Sequence, residues 1–397
     1  MGARPSRVKV VGPLVPHVAG FHKELAAQGY RPFALTEQLR VLAHVSRWLA
    51  GEGFEVGDLT SERIEEFLVV RRSEGYTLWT STKGVEPLVT YLRGIGAAPA
   101  ATVPAPSELD ELLDQFRSYL LNERGIARAS TVSYVHVARL FLIQLPTVLD
   151  LGVMTAREVI GFVATQCELR NPAYIACGLR SFLRYCHLRG LIAAPLAGAV
   201  PRVANRQRAK LPKSLDASAI AALLESCDRR RAFGRRDFAI ITLLARLGLR
   251  ASEIVKLELD DIDWRAGELV IRGKGQRKDR LPLLSDVGAA IAGWLGHGRG
   301  SPPCRNVFTR VRAPRRPLTS GGVSAVVYAA CKRVGVPEVS AHRLRHSAAT
   351  EMLRAGSSLE EIGQVLRHEL AITTSLYVKV DVAALAALAR PWPELRP

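Results

Sequence analysis

The stretch around which this chain is organised is Val339-Ser-Ala-His342-Arg-Leu-Arg345-His346, followed by Ile362-Gly-Gln-Val-Leu-Arg-His368 and Thr373-Thr-Ser-Leu-Tyr377. Small apolar and polar residues alternate from Ala341 to Leu353 and predict a helix, on which His342 and Arg345 share one face. Ser358 is a suitable N-cap for a second, short helix. The stretch therefore presents two imidazoles, a guanidinium and a phenol, which can converge on a single phosphate group.

The chain contains three His-x-x-Arg pairs, namely His44/Arg47, His136/Arg139 and His342/Arg345. Such a pair is weak evidence by itself in an Arg-rich sequence. The third pair gains specificity from two segments that precede it. One is Leu247-Gly-Leu-Arg250-Ala-Ser-Glu253, and the other is a predicted β-hairpin whose Gly-Lys-Gly turn holds Lys274.

This ordered set of residues resembles the tyrosine recombinase (phage integrase) family, the group of the Xer and Cre enzymes. The likeness covers roughly residues 211–387, and its specificity lies in the ordered combination. It implies a mainly α fold, in which helical DNA-clamping domains accompany a mixed α/β catalytic domain with a small β-sheet. Independently of the likeness, two arginines, a lysine, two histidines and a tyrosine without an acidic cluster describe a metal-free phosphodiester site. We expect no metal and no other cofactor.

The resemblance implies catalytic roles for Arg250, Lys274, His342, Arg345, His368 and Tyr377. The two arginines would bind the non-bridging phosphate oxygens, because each guanidinium offers a planar pair of donors. Lys274 would protonate the leaving 5′ oxygen, with Lys278 as the alternative for this role. His342 would act as general base or phosphate donor, and His368 as a further donor. Tyr377 would form a covalent 3′-phosphotyrosyl link, so that rejoining needs no ATP.

Residues beside these six have supporting roles in the prediction. Glu253 is expected to orient Arg250, and His346 to pack behind the site. One position departs from the family pattern, in which Gly usually precedes the second histidine. This chain has Arg367 there, with Glu369 after the histidine. A side chain at position 367 would crowd the pocket or add charge to it.

The composition favours a polyanionic partner. The 397 residues include 55 Lys+Arg and 37 Asp+Glu, for a net charge of +18. Such a charge gives sequence-independent affinity for nucleic acid, although a basic surface that serves solubility is an alternative interpretation. No apolar run predicts a membrane span or a secretory signal. The six cysteines lack C-x-x-C spacing, which predicts free thiols in a reducing cytosol and argues against a zinc site.

Length and Pro-rich breaks predict several domains. We expect an extra N-terminal helical module at 1–100, a helical core DNA-binding domain at 107–200, a basic linker at 201–213 and the catalytic domain at 214–397. The two helical segments share a loose four-helix pattern, so a duplication is a further hypothesis. The linker carries five basic residues and no acid, and these are predicted to contact DNA: Arg202, Arg206, Arg208, Lys210 and Lys213.

The resemblance further implies a site-specific recombinase of the integrase or transposase type, encoded by a bacterial mobile element. It would work on double-stranded DNA as a homo- or hetero-tetramer on two paired sites, with partner recombinases as a possibility, in the cytoplasm and associated with the nucleoid. The apolar segment Val380–Leu388 would dock on a neighbouring subunit or on its own domain. The alternatives are a type IB topoisomerase-like relaxing enzyme and a catalytically idle DNA-binding protein. An RNA-binding protein is disfavoured, because no aromatic-basic motif is present.

Overall fold

The computed structural model describes residues 8–101, 105–145, 151–169, 171–202, 214–273 and 278–367. The described residues are mainly helical and include one small β-sheet, as the sequence predicted. The chain forms two compact units: one is Val103–Lys210, and the other consists of Met1–Thr102 and Leu211–Pro397. Each of the three helical or mixed segments has its own cluster of buried hydrophobic side chains.

The N-terminal segment forms helices at Val18–Ala27 (α1), Pro32–Glu52 (α2), Ser61–Ser73 (α3) and Thr82–Gly94 (α4). Apolar residues recur at helical spacing on their inner faces, so Phe21, Leu42 and Leu88 are fully buried. Thr60 begins α3 by accepting a hydrogen bond from the Arg63 N–H at 3.3 Å. Within the same unit, the turn after α1 contacts a later loop, where the Arg315 N–H donates to the Gln28 carbonyl at 3.1 Å.

The unit Val103–Lys210 contains helices at Glu108–Ser118 (α5), Arg128–Gln144 (α6), Ala156–Leu169 (α7) and Pro172–Leu188 (α8). Ser107 and Asp110 form a reciprocal capping box that begins α5. A π-helical turn at Tyr119–Glu123 continues α5. The core of this unit is rich in aromatic side chains, among them Phe116 and Phe182, whose ring centroids lie 5.2 Å apart.

The C-terminal segment contains helices at Ala217–Glu225 (α9), Ala232–Arg246 (α10), Ala251–Lys256 (α11), Ser285–Trp294 (α12), Ser320–Val334 (α13), Ala341–Arg354 (α14) and Leu359–Val365 (α15). Helix α10 is apolar along most of its length and is buried at the centre of the segment. Ser358 begins α15, as predicted, by accepting from the Glu361 N–H at 3.2 Å. Ile362 and Leu366 pack on Ala349 and join α15 to α14.

The sheet is an antiparallel meander of Ile262–Asp263 (β1), Glu268–Arg272 (β2) and Lys278–Pro282 (β3). The β2–β3 hairpin was predicted, whereas β1 was not. Arg272 anchors the end of β2, because its side chain donates to Glu258 at 2.9 Å and to Asp261 at 2.8 Å. Arg272 lies opposite Lys278 at the end of the β2–β3 ladder.

None of the helices in the described ranges is long and apolar enough to cross a membrane. Across the same ranges, no group of three or more His, Cys, Asp or Glu side chains is placed to hold a metal ion.

Candidate active site

Two helix ends meet at the centre of the candidate site. Helix α10 is followed by Gly248 with φ +57°, and α15 is followed by Arg367 with φ +54°. Both residues therefore have the left-handed conformation that commonly ends a helix, and Gly is the usual residue there because it has no Cβ. The carbonyl groups at such helix ends lack intrahelical partners and carry partial negative charge, so they favour a cation.

Arg345 supplies that cation to both helix ends. Its side chain lies on the second turn of α14 and donates through Nη1 to the Gly248 carbonyl and through Nη2 to the Leu366 carbonyl. The residue is 2% exposed, so its charge is held in place by the fold. Arg345 thus brings the segment that leads into Arg250 together with the turn that precedes His368.

Arg250 occupies the N-cap position of α11 and pairs with Glu253 one turn later. Its backbone N–H donates to Glu253 Oε2 at 2.8 Å, and its Nη1 donates to Oε1 at 2.7 Å. The Arg250 side chain remains 38% exposed, whereas that of Glu253 is 2% exposed. The predicted pairing is confirmed, and Glu253 is the buried group that orients a partly exposed guanidinium.

The sequence predicted that Arg367 would crowd the pocket or add charge to it, but not that its side chain would pair with Glu253. Its Nη2 donates to Glu253 Oε2 at 2.9 Å, and its Nη1 donates to the Val365 carbonyl at 2.9 Å. The Arg367 carbonyl accepts a long hydrogen bond from Arg250 Nη2 at 3.4 Å. The side chain is 5% exposed, so it is buried in an ion pair. The Gly that is usual at this position was the signal for a left-handed residue.

The carboxylate of Glu253 is kept ionised by these two arginines. Burial by itself would raise the pKa of Glu253, but the charge of Arg367 and the hydrogen bonds from Arg250 outweigh it and hold the pKa below its ordinary value. Glu253 is therefore a negative charge shared between two guanidiniums.

His342 and His346 stand one helical turn apart on α14, with ring centroids 4.3 Å apart in an edge-to-face arrangement. His342 is exposed to solvent on one side. Surrounding protein atoms, together with the charges of Arg345 and Arg250, lower the pKa of His342. Burial and the charges of His342, Arg345 and Arg343 lower the pKa of His346 to about 4. Both imidazoles are therefore neutral near pH 7, and His342 is available to accept a proton.

The low pKa of His346 predicts that acid destabilises the protein. Unfolded His346 takes up a proton near pH 6.5, whereas folded His346 does so near pH 4. The contribution of neutral His346 to the unfolding free energy is therefore complete above about pH 6.5 and is lost as the pH falls toward 4. The unfolding free energy of wild type should fall between pH 6.5 and pH 4.5. We expect this fall to be smaller in His346→Asn, by on the order of 1 kcal/mol.

Urea unfolding at a series of pH values measures this effect. His297→Asn, at an exposed histidine of the same segment, is the matched control. An equal slope in wild type and His346→Asn would contradict the prediction.

Substitution of Gly248 is expected to lower the unfolding free energy more than substitution of His346 does. A Cβ at this position would lie 2.4 Å from Leu366 Cδ2, and Leu366 is fully buried. Gly335 has a similar left-handed φ of +71°, yet no described atom lies within 4 Å of a Cβ there. We expect Gly335→Ala to cost about 1 kcal/mol through backbone strain, and Gly248→Ala to cost roughly 1–3 kcal/mol more through overpacking.

Urea unfolding of the two variants measures the difference. Equal losses in Gly248→Ala and Gly335→Ala would show that Leu366 moves aside freely.

The structure thus brings together Arg250, His342 and Arg345. The remaining predicted catalytic residues, Lys274, His368 and Tyr377, lie outside the described residues, as do Arg206, Arg208, Lys210, Lys213 and the segment Val380–Leu388. Three described residues adjoin them: Leu366 and Arg367 lead directly into His368, and Arg272 anchors the strand that leads to Lys274. Arg202 of the linker is described and exposed.

The chain is similar in sequence to known proteins. A profile described as the phage integrase family matches residues 213–383. A Sinorhizobium fredii protein named "Putative integrase/recombinase y4rA" is 37% identical over 392 residues, which cover 96% of this chain and 95% of that protein. The tyrosine recombinase XerD of Listeria innocua is 28% identical and covers 68% of this chain and 95% of its own length.

Solved structures show the same fold at low sequence identity. The XerH site-specific recombinase bound to its palindromic difH substrate matches with a TM-score of 0.55 and 18% identity, over 83% of this chain and 95% of that one. The lambda integrase tetramer bound to a Holliday junction matches with a TM-score of 0.53 and 17% identity, over 74% and 85%. The chain belongs to the phage integrase family of tyrosine recombinases, the enzymes of site-specific DNA recombination.

Proposed function

We propose that this site cuts and rejoins DNA through Tyr377, with Arg250 and Arg345 on the non-bridging oxygens of the scissile phosphate. The Tyr377 oxygen forms a bond to phosphorus while the bond from phosphorus to the 5′ oxygen breaks. Negative charge grows on the phosphoryl oxygens as this happens, and prearranged guanidiniums stabilise it more in the transition state than in the ground state. The 3′-phosphotyrosyl link conserves the bond energy, and attack by a 5′ hydroxyl reverses the step.

Three further residues handle protons and charge in this proposal. Lys274 gives a proton to the leaving 5′ oxygen, and neutral His342 takes the proton of the attacking phenol. His368 donates a hydrogen bond to the phosphate. The lowered pKa of His342 supports its part, because a base must be unprotonated at the working pH.

One observation carries the proposal: buried Arg345 holds the carbonyls of Gly248 and Leu366. These carbonyls belong to the segments that lead into Arg250 and His368, which are more than one hundred residues apart in the sequence. A buried cation that ties two helix ends gives the site a rigid, positively charged base, which is what recognition of a phosphodiester requires.

The partner in this proposal is double-stranded DNA, bound by four subunits on two paired sites. The XerH structure contains its difH substrate, and the lambda integrase structure is a tetramer on a Holliday junction. The net charge of +18 supports DNA binding by the present chain. Exposed Arg202 and the basic residues after it are proposed to contact the DNA backbone.

The biological setting in this proposal is the integration or transposition of a mobile element, in the bacterial cytoplasm and in association with the nucleoid. The relatives with the names integrase/recombinase and tyrosine recombinase, both bacterial, support this setting. The extra N-terminal module is proposed to contact additional DNA or a partner recombinase.

The decisive experiment is incubation of the full chain with nicked duplexes from the flanks of its own gene. The nick lets the cut fragment diffuse away and traps the intermediate. We expect a covalent protein–DNA adduct on a denaturing gel, linked through the 3′ phosphate, and mass spectrometry of the digested adduct should identify the peptide that contains Tyr377.

Two other outcomes would overturn the proposal. Tight DNA binding without any adduct would indicate an idle DNA-binding protein. Relaxation of supercoiled plasmid without transfer of a cut strand to a second duplex would indicate a topoisomerase-like enzyme.

A further inference from the structure

Arg367 combines two unfavourable features, which suggests that its side chain has a function. A non-glycine residue with φ +54° is strained. A guanidinium that is 5% exposed also loses most of its hydration. Gly at the same position would avoid both costs, as Gly248 does at the equivalent end of α10. The contacts of Arg367 must therefore offset strain and desolvation together.

Those contacts join three charged groups in a row. Glu253 Oε1 accepts from Arg250 Nη1 at 2.7 Å, and Glu253 Oε2 accepts from Arg367 Nη2 at 2.9 Å. Arg250 and Arg367 are also joined directly, because Arg250 Nη2 donates to the Arg367 carbonyl at 3.4 Å. Arg250 is thus held by the side chain of Glu253 and by the backbone of Arg367.

The row also changes the charge of the site. Arg250 and Glu253 alone form a neutral pair, in which the carboxylate weakens the attraction of the guanidinium for an anion. Arg367 adds a positive charge on the far side of the same carboxylate. The three groups then carry a net charge of +1 beside buried Arg345, which favours a phosphodiester in the low-dielectric site.

We infer that Arg367 is a positioning residue for strand cleavage: it balances Glu253 and fixes the turn before His368, so that Arg250 is aimed at the scissile phosphate. This inference rests on the proposed function. Arg367 does not touch DNA in this scheme; it acts through Glu253 and through its own backbone carbonyl.

The test compares Arg367→Gln with Arg236→Gln in the full chain. Arg236 is the matched control, because it is also a buried arginine of this segment, and its Nη2 lies 2.7 Å from Asp237 Oδ1. Both variants lose a buried ion pair, and both should melt at lower temperature. Adduct formation is measured on nicked DNA at saturating concentration, below both melting temperatures. A third variant, Arg367→Lys, retains the charge without the planar pair of donors.

We expect Arg367→Gln to form the adduct about tenfold to a hundredfold more slowly than wild type, with DNA affinity changed less than threefold. Arg236→Gln should keep the wild-type rate, and Arg367→Lys should recover part of the loss. The acidic limb of the pH–rate profile should move to higher pH in Arg367→Gln alone. Arg250 and Arg367 are the charges that face Glu253, so without Arg367 the carboxylate is protonated more easily. If Arg367→Gln formed the adduct at the wild-type rate, or if the acidic limb of its pH–rate profile did not move, the inference would be overturned and the proposed function would stand.

A second measurement does not depend on the reaction. Because Arg250 and Arg367 share Glu253, either one still neutralises it when the other is removed. The decrease in melting temperature of the Arg250→Ala/Arg367→Gln double variant should therefore exceed the sum of the decreases in the two single variants. If wild type forms no adduct, the proposed function fails, and additive losses of melting temperature would separately refute the shared pairing.

Discussion

Tyr377→Phe is expected to abolish the covalent protein–DNA adduct while leaving DNA binding nearly unchanged. Phenylalanine retains the ring but lacks the oxygen that forms the bond to phosphorus, so no arrangement of the arginines can restore the step. We expect adduct formation to fall by at least about a thousandfold and DNA affinity to change less than twofold. Gel quantification of the adduct and a parallel binding titration measure the two quantities.

Tyr328→Phe is the matched control for this substitution. Tyr328 is an exposed tyrosine on α13 of the same segment, and its replacement should leave the adduct at the wild-type level. If Tyr377→Phe still formed the adduct, another nucleophile would be responsible, and the assignment of Tyr377 would be wrong. Loss of DNA binding in Tyr377→Phe would point instead to a structural role.

The helices were predictable because local signals decide them. Helix α14 was predicted over Ala341 to Leu353 and is observed at Ala341–Arg354, since the residue pattern that indicates it lies within the helix itself. The two-residue strand β1 was not predicted from the sequence. It is a strand because it pairs with Leu269 and Glu268 of β2, and its own two residues do not indicate this pairing. A hairpin turn is local, whereas an edge strand this short depends on pairing.

The site was predictable in its residues but not in its contacts. The spacing of His342 and Arg345 on one helix places both side chains on one face. Nothing in that spacing shows that Arg345 donates to the carbonyl of Gly248, 97 positions away. This contact follows from how two helix ends approach α14, and that approach is a property of the packed core.

The pairing of Arg250 with Glu253 was predictable because it is a contact within one helical turn. The pairing of Arg367 with Glu253 spans 114 positions and was not predicted. The departure from the usual Gly at position 367 predicted that a side chain would crowd the pocket or add charge to it. It did not indicate which way the arginine side chain would point.

Arg250→Ala is expected to slow adduct formation by roughly a thousandfold at little cost in stability. The Arg250 side chain is 38% exposed, and Glu253 keeps Arg367 as a partner at 2.9 Å. The loss of unfolding free energy should therefore be about 1 kcal/mol or less. Single-turnover cleavage of nicked DNA and urea unfolding measure the two effects in the same protein preparation.

Two further substitutions show whether the effect on cleavage comes from the charge that faces the phosphate. Arg354→Ala removes another partly exposed arginine, paired with Glu351 at 2.8 Å, and should leave cleavage unchanged. Arg345→Ala should slow cleavage and also cost roughly 2–5 kcal/mol, because two buried carbonyls lose their donor. If Arg250→Ala unfolded as readily as Arg345→Ala, its slow cleavage would reflect a damaged fold. Stable but inactive Arg250→Ala would instead place this guanidinium on the reacting phosphate.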